Sequence, residues 1–215
     1  MKTRKITQIL IVVSVVAIVF DLARLDLVGR ETPLYLILNL FLAWIPYIIS
    51  FYFIKKETAV KFFIPLFILW LLFFPNAPYL VTDVMHIVSS PETFIWYDSL
   101  LFFLFGWIGL LLGTISLFQI HQYLKNHFNY LISEIIIFAI CFVSSFGVYL
   151  GRFERWNSWD FFFHPLNLIK DSLNISAGLT DGVAPLTFVS IFCVFLYTVY
   201  KTIYILIANE DKNFI

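Results

Sequence analysis

The sequence predicts an all-α integral membrane protein: a six-helix bundle with short interfacial helices after the third and fifth spans. Three observations carry that expectation. Hydrophobic residues make up 61% of the 215 and charged residues only 13%, more apolar surface than a water-soluble chain of this size can hide. Apolar stretches of spanning length recur along the chain, separated by polar or charged breaks. Two of them carry ladders of small residues, Gly106, Gly109, Gly113 and Ser116 in one and Ser144, Gly147 and Gly151 in the other. Such faces let helices approach closely within a membrane. No internal repeat or soluble second domain is visible, so residues 1–215 read as one transmembrane domain. The formal net charge is zero, which implies no nucleic-acid partner. Cys141 and Cys193 both fall in apolar stretches and read as small core hydrophobes rather than a disulfide or zinc pair.

The first span is expected at about 6–25. Lys2, Arg4 and Lys5 precede its apolar run, and its exit, VFDLARLD, offers no small-x-small cleavage site, so it reads as an uncleaved helix. Asp21 and Arg24 are then expected at the interface. The second span, 33–54, begins with Pro33 at a first-turn position, where the missing N–H costs nothing. Pro46 should kink it mid-span, a break that neighbouring helices repair.

The third span, 62–81, is the irregular one. Its apolar run from 62 to 74 would rise only about 20 Å, against a hydrocarbon core of about 30 Å. Pro75 and Pro78 disfavour helix in the residues before them. The helix therefore either stops at membrane depth or continues as an irregular PNAP segment, tolerated only where protein or a polar cavity surrounds it. From 79 to 90 the pattern turns amphipathic, with Asp83, His86 and Ser90 on one face, as in a short helix lying at the interface. Three further spans are expected at 99–120, 131–151 and 186–208, the last after the loop SAGLTDGVAP.

With six spans, nine Lys and Arg residues fall on the side of the termini and five on the other. The positive-inside rule then places both termini in the cytoplasm of a cell membrane. Whatever the orientation, the stretches after the third and fifth spans share a face, because two spans separate them. The acidic, His-bearing segment and the Arg-rich GRFERWNSWD segment can therefore meet.

FFPNAPYLVTDVMH, the WYD at 96–98 before a Gly-rich helix, and YLGRFERWNSWD are long, specific strings. On them the chain resembles the uncharacterised bacterial membrane proteins catalogued as domain of unknown function 1361, from about the second span to the sixth. The resemblance implies a multi-pass bacterial membrane protein and brings no reaction or catalytic residue with it.

Residue chemistry gives the rest of the expectation. Asp83 and His86, three apart, can offer an oxygen and an imidazole to one point. With Asp98, and with Asp160 or His164, they could supply acid–base chemistry or hold a divalent metal. The spacing lacks any HExxH-like pattern, and an interfacial polar face with Asp83 paired to an arginine explains the same residues. Arg152 and Arg155 form a fork pair suited to a phosphate or carboxylate, or equally to a salt bridge between the two loops. Trp96, Tyr97, Trp156 and Trp159 read first as interface aromatics and second as a stacking platform. Asn76 sits between two prolines, where turn chemistry competes with a ligand role. His121 and His127 fall on the opposite face and are set aside.

The leading expectation is an outward-facing polar site for an anionic or phosphate-bearing lipid-like ligand. Arg152, Arg155, Asn76, Trp156 and Asp160 would bind it, and Asp83, His86 and Asp98 would do any chemistry. One alternative is a transporter or channel built on the discontinuous third helix, although no matching broken segment occurs in the other half. Another is an assembly partner whose charged loops dock a second membrane protein.

Overall fold

The computed structural model describes residues 2–28, 34–55, 60–90, 92–176 and 185–210. Within them all regular structure is helical: α1 (Lys2–Val28), α2 (Leu34–Lys55), α3 (Val60–Phe73), α4 (Asn76–Thr82), a 3-10 segment (Asp83–Ser89), a single 3-10 turn (Glu92–Phe94), α5 (Ile95–His127), α6 (Tyr130–Phe153), α7 (Asp160–Phe163), α8 (Pro165–Ser176) and α9 (Pro185–Glu210). Six stretches are long and apolar enough to cross a membrane, and each overlaps an expected span. Pro33, Arg30, Lys56, Lys212 and most of the SAGLTDGVAP loop lie outside the described residues.

The bundle is organised around α5. Of its apolar span 61% is buried, against 22% for α1 and for α9, so it runs through the middle while those two face outward. At 33 residues α5 rises about 50 Å, well beyond the expected 99–120 and longer than the hydrocarbon core is thick. Leu101, Phe105, Ile108 and Leu112 pack in one apolar core with residues of α1, α2 and α4. Leu117, Ile120 and Leu124 belong to a second, built with α2, α3, α6 and α9, where Cys141 and Cys193 are buried and free. A third, smaller core joins α6, α8 and α9 through Tyr149, Leu150, Ile175 and Val189.

The third span breaks where the prolines require it and then carries on. α3 ends at Phe73, a turn occupies positions 74 and 75, and α4 resumes at Asn76, giving an apolar stretch of 26 residues from Phe63 to Val88. The short helix expected over 79–90 is present in a different shape. It is the end of α4 followed by a 3-10 segment, and its polar residue Asp83 is fully buried. The small-residue ladders explain the burial. A methyl at Gly109 would collide with the Ala77 carbonyl oxygen and come within 2.9 Å of the Leu80 side chain. One at Gly147 would come within 2.7 Å of the Pro75 ring. The α5 ladder thus receives α4 at backbone contact distance, and the α6 ladder receives the Pro75 ring at the start of α4 and the Tyr79 ring within it, so α4 is wedged between α5 and α6.

Asp21 and Arg24 are buried beside α5. α7 and α8 do follow α6 as short helices, with Phe162, Phe163, Leu166 and Ile169 exposed and Ile175 turned into the bundle. That is the apolar outer face expected of a segment resting in an interface.

Candidate functional site

Pro75 and Pro78 contribute no N–H, so the break strands carbonyls of the preceding turn. The chain repairs it locally. The Ala77 N–H donates to the Phe74 carbonyl at 3.1 Å and the Tyr79 N–H to the Pro75 carbonyl at 3.0 Å. The Phe73 carbonyl, which a regular helix would pair with Ala77, accepts instead from the Asn76 side chain at 2.8 Å. The other Asn76 amide hydrogen reaches the Ser158 hydroxyl, 2.9 Å away and 82 residues along the chain. Turn chemistry thus claims both Asn76 donors, and with them ties the broken span to the segment after α6.

Arg152, in the last turn of α6, is the centre of the polar site. Its Nη2 meets Asp83 Oδ1 at 2.5 Å, its Nε donates to the Thr82 hydroxyl at 2.9 Å, and its Nη1 lies 2.8 Å from His86 Nε2. A guanidinium can only donate, so His86 accepts through Nε2 and carries its proton on Nδ1. The guanidinium also lies over the Tyr79 ring, 4.2 Å from its centroid. Asp83 takes a second bond from Asn39 of α2 at 3.2 Å, and the Tyr35 ring packs against His86. The side chains of Asp83 and Arg152 are only 1% and 7% exposed, so this is an ion pair withdrawn from solvent. Asp83 and His86, expected as a metal or acid–base pair, do converge on one point. The cation at that point is Arg152.

Asp98 belongs to a different cluster. It pairs with Arg24 of α1 through two bonds of 2.5 and 2.7 Å, the fork geometry of a guanidinium on a carboxylate. Nearby, the Tyr97 hydroxyl donates to the Phe20 carbonyl at 2.6 Å, so both bonds fasten α1 to the start of α5. Asp21 is buried beside this pair, and neither of its carboxylate oxygens has a hydrogen-bond partner among the described residues.

Arg155 is separated from Arg152 in environment as well as position. It is exposed and holds a left-handed backbone with φ of 59°. That reversal ends α6 and returns the Trp156 N–H to the Leu150 carbonyl at 3.1 Å, a cap that usually employs glycine. Asp160 closes the next turn by accepting from the Asn157 backbone N–H at 2.7 Å.

Between α3 and α6 runs a groove of about 390 Å³, within the range of small-molecule pockets. Ile68, Leu72 and Val143 line its apolar length, and Pro75 and Gly147 its floor. Ile68 and Val143 are half exposed, so the groove opens on the outer surface of the bundle. Asn39, Asn76, Tyr79, Trp156, Asn157 and Ser158 gather at its polar end, where α8 adds Leu168 and Ser172. Asn39 and Tyr79 also touch the Asp83–Arg152 pair, so the groove and the ion pair share a wall.

Of the expected site residues, the structure therefore brings Asp83, His86 and Arg152 together and places Asn76 and Trp156 in the groove beside them. Asp98, Arg155 and Asp160 stand apart. Among the described residues, no three His, Cys, Asp or Glu side chains gather closely enough to hold a metal ion. Sequence reading missed Asn39, Thr82 and Tyr79 as site residues; Tyr79 and Thr82 lie within the FFPNAPYLVTDVMH string and Asn39 is a lone polar residue in an apolar run, which were the available signals. It also set aside the polar cluster at the far end of the bundle. There His121 and the Tyr200 hydroxyl lie 2.6 Å apart, and Lys201 pairs with Glu134 at 2.9 Å.

No curated protein and no solved structure matches the chain. The profile of the family described as "Protein of unknown function (DUF1361)" matches residues 38–199, from within α2 to within α9 and including the whole broken span, the groove and the Asp83–Arg152 pair. On that match, over well more than half of its length, the chain belongs to the DUF1361 family.

Proposed function

We propose that this protein binds an amphiphile entering sideways from the membrane. The apolar chain lies along α3 and α6, and the polar head rests against Asn39, Asn76 and Ser158. One observation carries the reading: an apolar groove opens on the outer surface of the bundle and ends at a gathering of polar side chains walled by a closed ion pair. An apolar slot of this size suits a hydrocarbon chain, and polar atoms at one end give the occupant a direction. Arg152, Asp83 and His86 serve the site by fixing its wall, since Arg152 is bonded to both of the others. The charged-head version of the reading has Arg155, exposed next to Trp156, as its available cation.

The test is lipid retention. Val143 lines the groove with half its surface free, so Val143→Trp fills the slot without disturbing α4. Purified in polymer-bounded native discs, the parent chain should carry a bound amphiphile visible by native mass spectrometry. Val143→Trp should lose it while melting at the parent temperature. Equal occupancy in both, or none in the parent, refutes the reading.

A further inference from the structure

We infer that the head of the bound amphiphile is uncharged and donates hydrogen bonds, as in a hydroxyl- or glycosyl-capped lipid chain. This rests on the groove being an amphiphile site, and it follows from counting what the polar end has left to offer.

Among the described residues, no Asp, Glu, Lys, Arg or His lines the groove. The adjoining charges, Asp83 and Arg152, neutralise each other at 2.5 Å, and the residues that pass their influence to the groove, Asn39 and Tyr79, are uncharged. A phosphate or ammonium head resting there would be withdrawn from water with no opposite charge among the described lining residues to receive it, since Arg155 lies exposed past the cap of α6, an unfavourable exchange.

The amides fix the polarity of the remaining contacts. The Asn39 nitrogen faces a carboxylate at 3.2 Å and the Asn76 nitrogen a backbone carbonyl at 2.8 Å. Both partners can only accept, so each nitrogen is held where it is and each amide oxygen is left over. Asn76 spends its second N–H on the Ser158 oxygen, which leaves the Ser158 proton to give. Asn39 keeps its second N–H as well, so the polar end presents two amide acceptors together with donors from Ser158 and Asn39, beside the further polar groups of Tyr79, Trp156 and Asn157. A group that both donates and accepts while carrying no charge is an alcohol, and several of them together make a sugar or polyol. The Trp156 ring, also in the lining, offers the flat apolar surface against which a glycosyl face packs.

The experiment compares probes that share one chain. The full-length protein, in discs of a single zwitterionic lipid, is titrated with hexadecyl glucoside, hexadecyl phosphate, hexadecyltrimethylammonium and hexadecane, with binding read by Trp fluorescence and native mass spectrometry. The glucoside should bind at least about tenfold more tightly than either charged probe, because buried hydrogen-bonding sites discriminate strongly against heads that leave them unpaired. Ser158→Ala should cut that preference severalfold, and Ser158→Thr, which restores a hydroxyl, should recover it. Tighter binding of the phosphate or the ammonium probe overturns this inference while leaving an amphiphile groove in place. Hexadecane binding as well as the glucoside, or no probe binding at all, overturns it too, and the second result removes the groove reading with it.

Discussion

Removing either partner of the Asp83–Arg152 pair should cost far more than removing both. In Arg152→Met, the Asp83 carboxyl is left 1% exposed with only the Asn39 bond at 3.2 Å to hold it. Breaking a buried pair from one side costs about 3–5 kcal/mol, and the near-complete burial of Asp83 puts this variant at the upper end. Asp83→Leu strands a guanidinium that is 7% exposed and still bonded to Thr82 and His86 and stacked on Tyr79, so it belongs at the lower end, about 3 kcal/mol. If the losses simply added, the double variant would be down by about 8 kcal/mol. With both charges gone no ion is left buried, and what remains is the loss of the three hydrogen bonds to Thr82, His86 and Asn39 at about 1 kcal/mol each. The coupling between the two sites should therefore be at least 3 kcal/mol, within the range found for close, desolvated charge pairs. Midpoints of reversible unfolding in mixed detergent micelles, for the four chains of the cycle, measure it. A double variant that loses the sum of the two singles would show that the ion pair is not what joins α6 to the broken span.

Three other outcomes follow from particular contacts. Gly109→Ala drives a methyl into the Ala77 backbone and should cost about 3 kcal/mol, whereas at Gly113 the nearest atom is the Ala77 Cβ at 3.3 Å and the change should stay within about 1 kcal/mol; thermal melts of the two variants make the comparison. Asp21→Asn removes a buried carboxylate that has no partner among the described residues and should leave the melting temperature equal or higher, while Asp98→Asn breaks the fork to Arg24 and should lower it by the equivalent of about 3 kcal/mol. Arg155→Gly relieves a left-handed residue and should stabilise the chain by about 1 kcal/mol with lipid retention unchanged, in contrast to any change at Arg152.

The spans were legible because hydropathy and length are local quantities, and so were the glycine ladders, which announced close packing. What the ladders packed against was not legible. Gly106 and Gly109 on one helix and Gly147 on another suggested helices meeting face to face, yet the first two accept α4, an element of seven residues, and Gly147 the Pro75 ring at its start. The burial within 79–90 was hidden for the same reason. A face bearing Asp83 and His86 opposite Leu80 and Val84 is what an interfacial helix shows, and nothing local says that part of it meets an arginine. Here Asp83 and Leu80 are both buried while His86 and Val84 are exposed. The deciding partner, Arg152, lies 69 residues away.

The two arginines show how far topology alone carries such an argument. Counting spans put the segments after the third and fifth helices on one face, and complementary charge said they should meet; both inferences hold, since Arg152 reaches Asp83. Choosing between Arg152 and Arg155 needed the end of α6 to be known within a residue or two. Arg152 still sits in the helix, where its direction is set by the turn beneath it and points at α4. Arg155 falls just past the cap, where the backbone turns left-handed and carries the side chain outward. A helix ending one turn later would have swapped their roles, and sequence places helix ends no better than that. The same uncertainty hid the groove, because its polar end is built by residues 156–158 folding back over Asn76, a path set by the reversal at Arg155 and the Asn76–Ser158 bond. The cap of α6 is thus the element on which the site depends: it sends one arginine inward to neutralise Asp83, turns the other outward, and lays an uncharged loop across the mouth of an apolar slot.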